Sequence, residues 1–258
     1  MGVGIHPQAL VHPDAKLGAG VNVGPFCTVG ADVTLGDGVR LRSHVNVEGH
    51  TTLGAGCEVW PFASVGVRTQ DLKYKGGNPR LVVGANTVIR EYATLSCATF
   101  DGDETRVGAD CLVMAYCHIA HDCILGDRVI MANASTLAGH VLVEDDAIVG
   151  GLTGVHQFVR IGRMCIVGGA AKVVKDVPPY MMADGVPLRV YGLNKVGLKR
   201  KGVSAEAQEA LKQVYRIVYR SDLTIARALE RIAAEAPPLP EVEAFADFIR
   251  SSERGIAR

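Results

Sequence analysis

Large aromatic side chains are scarce in this sequence, since Phe, Trp and Tyr together make up only 5% of the 258 residues. This composition argues against an ordinary globular core, in which aromatic rings fill much of the volume. Long apolar runs are also missing, and the first residues lack a basic segment followed by a hydrophobic one. We therefore predict neither a signal peptide nor a membrane span.

An excess of one charge and an even set of cysteines are missing as well. Lys and Arg together number 27, as do Asp and Glu, so charge gives no reason to expect binding to nucleic acid or to an acidic membrane. The odd total of 7 cysteines argues against a complete disulfide framework. Without an export signal, it predicts a reducing, cytoplasmic location.

The sequence is instead dominated by a repeat of six residues, as in the consecutive blocks VGPFCT, VGADVT and LGDGVR that start at Val23. From residue 5 to residue 173, every sixth position is aliphatic or Met, except Asp71, Gly77 and Asp101. A period of six is neither helical nor the alternation of a simple strand. It is typical of a parallel β-helix, in which three hexads form one triangular coil of eighteen residues. We expect the first and fifth residues of each hexad to point inward.

The repeat divides the chain into two predicted parts. Residues 1–186 are predicted to form an all-β solenoid of about ten coils. Its loop insertions lie near 66–80 and 101–106, where the pattern is lost and Gly and charged residues are frequent. Residues 187–258 are predicted to form a C-terminal α-helical domain, with Ser204 as a helix N-cap and Pro237-Pro238 between two later helices.

The hexad positions also sort the cysteines. Six of the seven occupy the fifth, inward-pointing position: Cys27, Cys57, Cys111, Cys117, Cys123 and Cys165. A buried thiol in apolar surroundings is unreactive. These residues are therefore predicted to fill the narrow prism, and Cys123 is not expected to be a nucleophile.

The segment HIAHDC, residues 118–123, carries the clearest candidate chemistry. Residues eighteen apart should be vertical neighbours, which places His121 beneath Gly139 and Asp122 beneath His140 at an outward corner. The plainest explanation is a set of solvated corner residues. A zinc site is a second possibility, although the His-x-x-His spacing does not match the ligands of hexapeptide-repeat zinc hydratases. We favour a third: neutral His121 as a general base oriented by Asp122, with the Gly139 amide stabilising an oxyanion.

Several motifs in order resemble a known family. HIAHDC, NASTLAGHV, GGLTGVHQF, QDLKY, DVPPY and GLNKVGLKRKG together resemble the bacterial UDP-N-acetylglucosamine acyltransferases of lipid A biosynthesis, over nearly the whole chain. The resemblance implies a left-handed coil and a homotrimer with a site between adjacent solenoids. It also implies transfer of an (R)-3-hydroxyacyl chain from acyl carrier protein to the 3-hydroxyl of UDP-N-acetylglucosamine, without a metal or cofactor.

The same resemblance assigns roles to particular residues. It makes His121 the base, Asp122 its partner and Gly139 the oxyanion donor. The cleft would be lined by His118, His140, His156 and Gln157. Sugar and phosphate contacts would come from Gln70, Asp71 and Lys73, and contacts to the nucleotide or the carrier protein from Asn194, Arg200 and Lys201. Gly169 falls where the family sets acyl length, and a glycine there predicts room for a longer chain.

Two features leave alternatives open. The segment LSCATF, residues 95–100, departs from the His-Arg-Gly-Thr run usual in the family, and the loop after it is short and acidic. Val196 stands where some members of the family carry an acidic residue. The acceptor could therefore be a 3-amino UDP-sugar, giving N-acyl transfer. A zinc-dependent hydratase and a non-catalytic scaffold are more distant alternatives. The related N-acyltransferase of the same pathway is not expected, because it carries an extra domain before its solenoid and this repeat begins at Ile5.

Overall fold

The computed structural model describes residues 2–258. The hexad repeat becomes a series of short strands: β1 (Gly4–Ile5), β2 (Leu10–Val11), β3 (Lys16–Leu17), β4 (Asn22–Val23), β5 (Thr28–Val29), β6 (Thr34–Leu35), β7 (Arg40–Leu41), β8 (Asn46–Val47), β9 (His50–Leu53), β10 (Glu58–Val59), β11 (Ser64–Val67), β12 (Arg80–Val83), β13 (Val88–Ile89), β14 (Thr94–Ser96), β15 (Glu104–Val107), β16 (Leu112–Val113), β17 (His118–Ile119), β18 (Ile124–Leu125), β19 (Ile130–Met131), β20 (Thr136–Leu137), β21 (Leu142–Val143), β22 (Ile148–Val149), β23 (Gly154–Val155), β24 (Arg160–Ile161), β25 (Ile166–Val167) and β26 (Lys172–Val173). Two longer strands, β27 (Met181–Asp184) and β28 (Arg189–Leu193), follow.

These strands form three parallel faces of a triangular prism. Every third strand stacks in register on the next coil, as Leu112 does on Ile130 and Ile130 on Ile148. Face one begins at β1, face two at β2 and face three at β3. We call the corner between faces one and two the first corner, that between faces two and three the second corner, and the remaining one the third corner. The prism interior is filled by first and fifth hexad residues, as predicted, for example Val113 and Cys117.

The corners depend on one unusual backbone conformation. The fourth hexad residue repeatedly has a positive φ without being glycine, as at Asp122 (φ 60°) and His140 (φ 61°). This left-handed conformation turns the chain sharply by about 120° per corner of a triangle, and Asn and Asp tolerate it better than bulky side chains do. The third hexad residue accepts Pro, as at Pro25 and Pro61, because its amide takes no part in the ladder between coils.

The two insertions have lengths that preserve the frame. Leu53 pairs with Val83, and Val83 pairs with Val107, so these coils are twelve and six residues longer than a regular coil of eighteen. The additional residues together amount to one coil, so the prism has nine coils, as the nine strands of face two show, and not the predicted ten. The predicted loop limits were too wide at both insertions, because residues 66–67 belong to β11, Arg80 to β12 and residues 104–106 to β15.

The C-terminal part closes the prism before it becomes helical. Strand β27 continues face one, and β28 pairs with it in the antiparallel direction, so the beginning of 187–258 is strand and not helix. Four helices follow: α1 (Lys195–Arg200), α2 (Ala205–Tyr219), α3 (Ile225–Glu235) and α4 (Pro240–Arg250). Ser204 caps α2 as predicted, since its hydroxyl accepts from Ala207 N–H at 3.0 Å. The division at 186/187 stays a prediction.

The helices are fixed to the last coil through a buried carboxylate. Asp176 is 1% exposed and accepts hydrogen bonds from Arg160 N–H at 2.8 Å and from the Ser252 hydroxyl at 2.7 Å. Both acceptor oxygens are thus satisfied, as a buried charge requires. Between residues 2 and 258, no helix combines the length and the apolar character needed to cross a bilayer.

Candidate active site

The second corner gathers most of the predicted site. His121 and Asp122 lie between β17 and β18, Gly139 and His140 between β20 and β21, and Gln157 between β23 and β24. Both insertions leave the prism at this corner, since one joins β11 to β12 and the other joins β14 to β15. The corner therefore carries a vertical column of polar residues with two loops folded against its lower part.

His121 is held through one of its two ring nitrogens. Its Nδ1 lies 2.7 Å from Oδ2 of Asp122 and 3.0 Å from the hydroxyl of Thr99. A carboxylate only accepts hydrogen bonds, so the ring hydrogen of the neutral imidazole is on Nδ1. This leaves the lone pair on Nε2. The side chain is 15% exposed, so the ring is set in a recess and still reachable from outside.

Gly139 covers the His121 ring with bare backbone. A Cβ at residue 139 would lie 2.3 Å from Cε1 and 2.5 Å from Nε2 of His121, distances that no real Cβ contact shows. The φ of Gly139 is not positive. Glycine is therefore needed here for the close approach of the ring, and not for a left-handed backbone. Among residues 2–258 the Gly139 N–H has no hydrogen-bond acceptor, so it is free to bind an incoming oxygen atom.

The first insertion brings a carboxylate to the open side of the ring. Oδ2 of Asp71 lies 4.0 Å from Nε2 of His121, while its Oδ1 accepts from Lys73 N–H at 2.9 Å. The hydrogen bond from Lys73 N–H lowers the pKa of Asp71, with smaller contributions from nearby positive charge and against the cost of desolvation. The side chains of Gln70 and Lys73 are exposed on the same loop.

Three more histidines extend the polar wall. His118 lies on face two and its Nδ1 is 2.7 Å from the Thr94 hydroxyl; burial, and then the proximity of His121, lower its pKa. The His140 ring stacks on Phe158 with 4.6 Å between centroids, and its Nε2 is 3.7 Å from Oδ2 of Asp122. His156 is exposed at the top.

One group of side chains in the described chain could hold a metal ion. The candidate ligand atoms of His121, Asp122 and His140 all lie within 4.8 Å of one another. Two imidazoles and a carboxylate are a suitable donor set for zinc. Nδ1 of His121 is already engaged by Asp122, however, so a metal would compete with the hydrogen bond that orients the ring.

Comparison with known proteins gives one family. The sequence-family model described as UDP-N-acetylglucosamine O-acyltransferase, domain 2, matches residues 176–257. The family model described as bacterial transferase hexapeptide (six repeats) matches residues 104–139. An acyl-[acyl-carrier-protein]--UDP-N-acetylglucosamine O-acyltransferase from Synechocystis is 46% identical over 81% of this chain and 75% of its own length. One of the same name from Verminephrobacter eiseniae is 46% identical over 82% of this chain and 83% of its own length. This chain belongs to the UDP-N-acetylglucosamine O-acyltransferase family.

The solved structures agree with this family and with the fold. The UDP-N-acetylglucosamine acyltransferase from Bacteroides fragilis has a TM-score of 0.96 and 38% identity, covering 98% of this chain and 100% of its own. The predicted fold class, a left-handed parallel β-helix of hexapeptide repeats with a helical C-terminal part, is confirmed. The resemblance found in the motifs of the sequence is confirmed as well.

The structure brings some of the predicted site residues together at the second corner and leaves others apart from it. Gly169 follows β25 and therefore lies at the first corner, away from His121. Asn194 is buried, caps α1 by accepting from Gly197 N–H at 3.0 Å, and donates to the Met164 carbonyl at 2.8 Å. These residues do not reach the second corner within one copy of the chain.

Two further residues predicted for the site, Arg200 and Lys201, lie at the end of α1 and directly after it. Arg200 is exposed. The Lys201 ammonium is 2.6 Å from Oδ1 of Asp146, a carboxylate that also pairs with Arg128. The pKa of Asp146 is lowered by hydrogen bonds from both cations, in spite of burial. Lys201 is thus anchored to the prism and is not a freely moving charge.

One group of contacts at the site was not predicted from the repeat. Thr99, in the segment LSCATF, donates its amide hydrogen to Oδ1 of Asp122 at 3.2 Å in addition to its contact with His121. Thr69 lies 3.4 Å from Thr99, hydroxyl to hydroxyl. Neither residue falls on a coil, so the eighteen-residue spacing could not place it beside the histidine.

Proposed function

We propose that this chain transfers an (R)-3-hydroxyacyl group from acyl carrier protein to the 3-hydroxyl of UDP-N-acetylglucosamine, the first step of lipid A biosynthesis. The observation that carries the proposal is the imidazole of His121, oriented through Nδ1 with Nε2 open, directly beneath the bare backbone of Gly139, whose N–H has no acceptor among residues 2–258. A base and an oxyanion donor side by side are the two groups that acyl transfer to a hydroxyl requires. The names of the relatives, acyl-[acyl-carrier-protein]--UDP-N-acetylglucosamine O-acyltransferases, agree.

The reaction follows from these groups. Nε2 of His121 removes the proton of the sugar hydroxyl while the hydroxyl oxygen attacks the thioester carbonyl carbon. The carbonyl oxygen becomes an oxyanion and accepts the hydrogen bond of Gly139 N–H. The tetrahedral intermediate then collapses, the carbon–sulfur bond breaks, and the departing thiolate takes the proton from His121. Asp122 keeps the ring in one orientation and stabilises the imidazolium.

The remaining predicted residues position the substrates in this proposal. Asp71, Lys73 and Gln70 lie on the loop beside Nε2 and are assigned to the sugar and its phosphates. His118, His140, His156 and Gln157 line the wall above and below His121. Asn194, Arg200 and Lys201 are assigned to the nucleotide or the carrier. A thioester is already activated, so the mechanism requires no metal and no cofactor.

A homotrimer is part of the proposal. Gly169, assigned to the acyl chain, lies at the first corner, whereas His121 lies at the second corner. One site can contain both only if the first corner of one copy faces the second corner of another. Light scattering of the purified protein should therefore give three times the mass of the chain, and a monomer with full activity would contradict this arrangement.

Acyl length is predicted from Gly169. Its φ is not positive, and a Cβ there would meet the Gly151 backbone, with the carbonyl oxygen at 3.2 Å and the nitrogen at 3.9 Å, so adding a side chain requires a small shift of that backbone. Gly169→Met should shift the preferred donor to a shorter acyl chain, because the longer side chain fills space left by glycine. Competition between carriers of different chain length measures the shift, and an unchanged preference would exclude Gly169 from the acyl channel.

One assay tests the proposed function. The protein is incubated with UDP-N-acetylglucosamine and a panel of 3-hydroxyacyl carrier proteins, and acylated sugar nucleotide is measured by mass spectrometry. His121→Ala should lower kcat by about 10²- to 10⁴-fold, as loss of a general base does. His12→Gln is the matched control, because His12 follows β2 at the same corner, five coils below His121. The absence of product from every donor would contradict the proposal.

The same assay separates the alternatives. The names of the relatives favour neither a 3-amino acceptor nor a zinc-dependent hydratase. A 3-amino UDP-sugar offered in competition would be acylated faster if N-acyl transfer were the natural reaction. Stoichiometric zinc in the purified protein, with activity lost on chelation, would favour the hydratase. The cytoplasmic location stays a prediction.

A further inference from the structure

The two insertions meet the catalytic corner through two buried threonines. Thr99 is 0% and Thr69 is 6% exposed, and their hydroxyl oxygens are 3.4 Å apart. Thr99 belongs to the second insertion and Thr69 to the first. Their contact therefore joins two loops that leave the prism from neighbouring coils.

Each threonine also contacts residues of the candidate site. The Thr99 hydroxyl is 3.0 Å from Nδ1 of His121, and its amide donates to Asp122 at 3.2 Å. The Thr69 hydroxyl accepts from Asp71 N–H at 3.1 Å. Because Asp71 lies 4.0 Å from Nε2 of the same histidine, the contacts form a closed ring around the imidazole.

The hydrogens in this ring have a consistent direction. The Nδ1 hydrogen of His121 is directed to Asp122 and Thr99, so the Thr99 oxygen is an acceptor there. Its own hydroxyl hydrogen is then free to be donated to Thr69. Thr69 accepts from Asp71 N–H as well, which uses both lone pairs of its oxygen. A buried hydroxyl network in which each oxygen is engaged fixes the groups at its ends.

We propose that Thr99 and Thr69 are positioning residues for acyl transfer. Thr99 fixes the His121–Asp122 pair, Thr69 fixes the loop that carries Asp71, and their mutual contact couples the base to the sugar-binding loop. The inference rests on the proposed function and adds to it two residues that touch no substrate. It also gives a role to the segment LSCATF, whose last polar residue is Thr99.

The experiment compares isosteric and conservative variants in the transfer assay. Thr99→Val keeps the shape and removes the hydroxyl, and should lower kcat about ten- to a hundredfold with a small change in KM for UDP-N-acetylglucosamine. Thr69→Val should mainly raise that KM, about five- to tenfold. Thr99→Ser and Thr69→Ser retain the hydroxyl and should restore most of the loss. The double valine variant should lose less than the product of the two single losses, because either change breaks the same ring.

A matched threonine controls for packing. Thr87 is also 0% exposed and donates its hydroxyl to the Gly108 carbonyl at 2.8 Å, but it lies between β12 and β13, at the third corner. Thr87→Val should leave kcat and KM unchanged, and circular dichroism should show all variants folded. Wild-type kinetics in folded Thr99→Val, or serine variants as impaired as the valine ones, would overturn the positioning role. An inactive wild-type protein would instead contradict the proposed function.

Discussion

At the scale of the residue, the position of His121 depends on a neighbour that has no side chain. The His121 ring occupies the space that a Cβ at residue 139 would take, and the Gly139 N–H has no acceptor among residues 2–258. Glycine is therefore required here for space, and not for a left-handed backbone.

This close approach gives a prediction for Gly139→Ala. The added methyl would overlap the His121 ring, so the ring must move away from Asp122, and kcat should fall at least about tenfold because the base is displaced. The melting temperature should change little, since the backbone at 139 is compatible with alanine. Kinetics and thermal unfolding of the purified variant measure both effects.

Gly30→Ala is the matched control for this change. Gly30 precedes the same corner several coils below, and the nearest atom to its new Cβ would be Cα of Glu48 at 3.4 Å, an ordinary contact. Its activity should equal that of the wild type. Equal activity in Gly139→Ala would show that the ring has no need of the bare backbone.

Sequence reasoning reached the vertical neighbours of His121 but not its lateral ones. Gly139 follows from a spacing of eighteen, which the ladder between coils enforces, and Asp122 is the next residue along the chain. Thr99 comes from an insertion, where no repeat relates sequence distance to position in space. The position of a loop depends on its own contacts, such as the hydrogen bond from Asn78 N–H to Oδ1 of Asp101 at 2.7 Å. Such contacts cannot be predicted from a repeat in the sequence.

At the scale of the element, the hexad repeat determines which parts of the fold could be predicted from the sequence. The fold, the inward cysteines and the cap at Ser204 were predictable, because each depends on local chemistry repeated along the chain. The number of coils was not predictable. The hexad frame resumes unchanged after each insertion, so three off-pattern positions in the insertions, Asp71, Gly77 and Asp101, were counted as parts of coils. The strand at 189–193 was also missed, because its partner is antiparallel and belongs to no repeat.

The length of the first insertion leads to a deletion test. Removing residues 68–79 takes out twelve residues, so Leu81 would still fall on a fifth, inward position and Val83 on a first. The variant should fold cooperatively with unchanged β content, because shortening a surface loop costs little. Acyl transfer should be lost, since Thr69 and Asp71 are removed with the loop.

A deletion one residue shorter is the control. Removing residues 69–79 takes out eleven residues and shifts each following hexad by one position relative to the coil beneath it. Polar residues would then point into the prism, and the protein should be insoluble or unfolded by circular dichroism. Equal stability of the two deletions would mean that the frame does not govern the stacking of coils.

At the scale of the whole molecule, all seven thiols are buried, and six of them occupy inward positions of the narrow prism. Burial raises the pKa of Cys123 from 9.0 to about 12 and that of Cys111 to about 11. In the unfolded chain these thiols lose their protons near pH 9.0, whereas in the folded protein they retain them. The unfolded state therefore binds fewer protons above this pH, and stability must fall as the pH rises.

The predicted result is a loss of unfolding free energy between about pH 9 and pH 11, measured by urea denaturation at several pH values. Cys123→Ala removes one of the titrating thiols, so its stability should fall less steeply over the same range, relative to its own value at pH 7. An identical slope for variant and wild type would show that burial of this thiol does not oppose its ionisation.

The stacked coils have one more consequence. The backbone ladder joins each coil of the prism only to the coil above and the coil below, so the prism behaves as a one-dimensional polymer of cooperative units. Fraying can then start only at an end: the top is closed by β28 and the helices, while Ile5 and Leu10 at the bottom are exposed. Amide protons should accordingly exchange with solvent fastest in the first coil and slowest in the middle of the stack, where both neighbours must open before the backbone is freed.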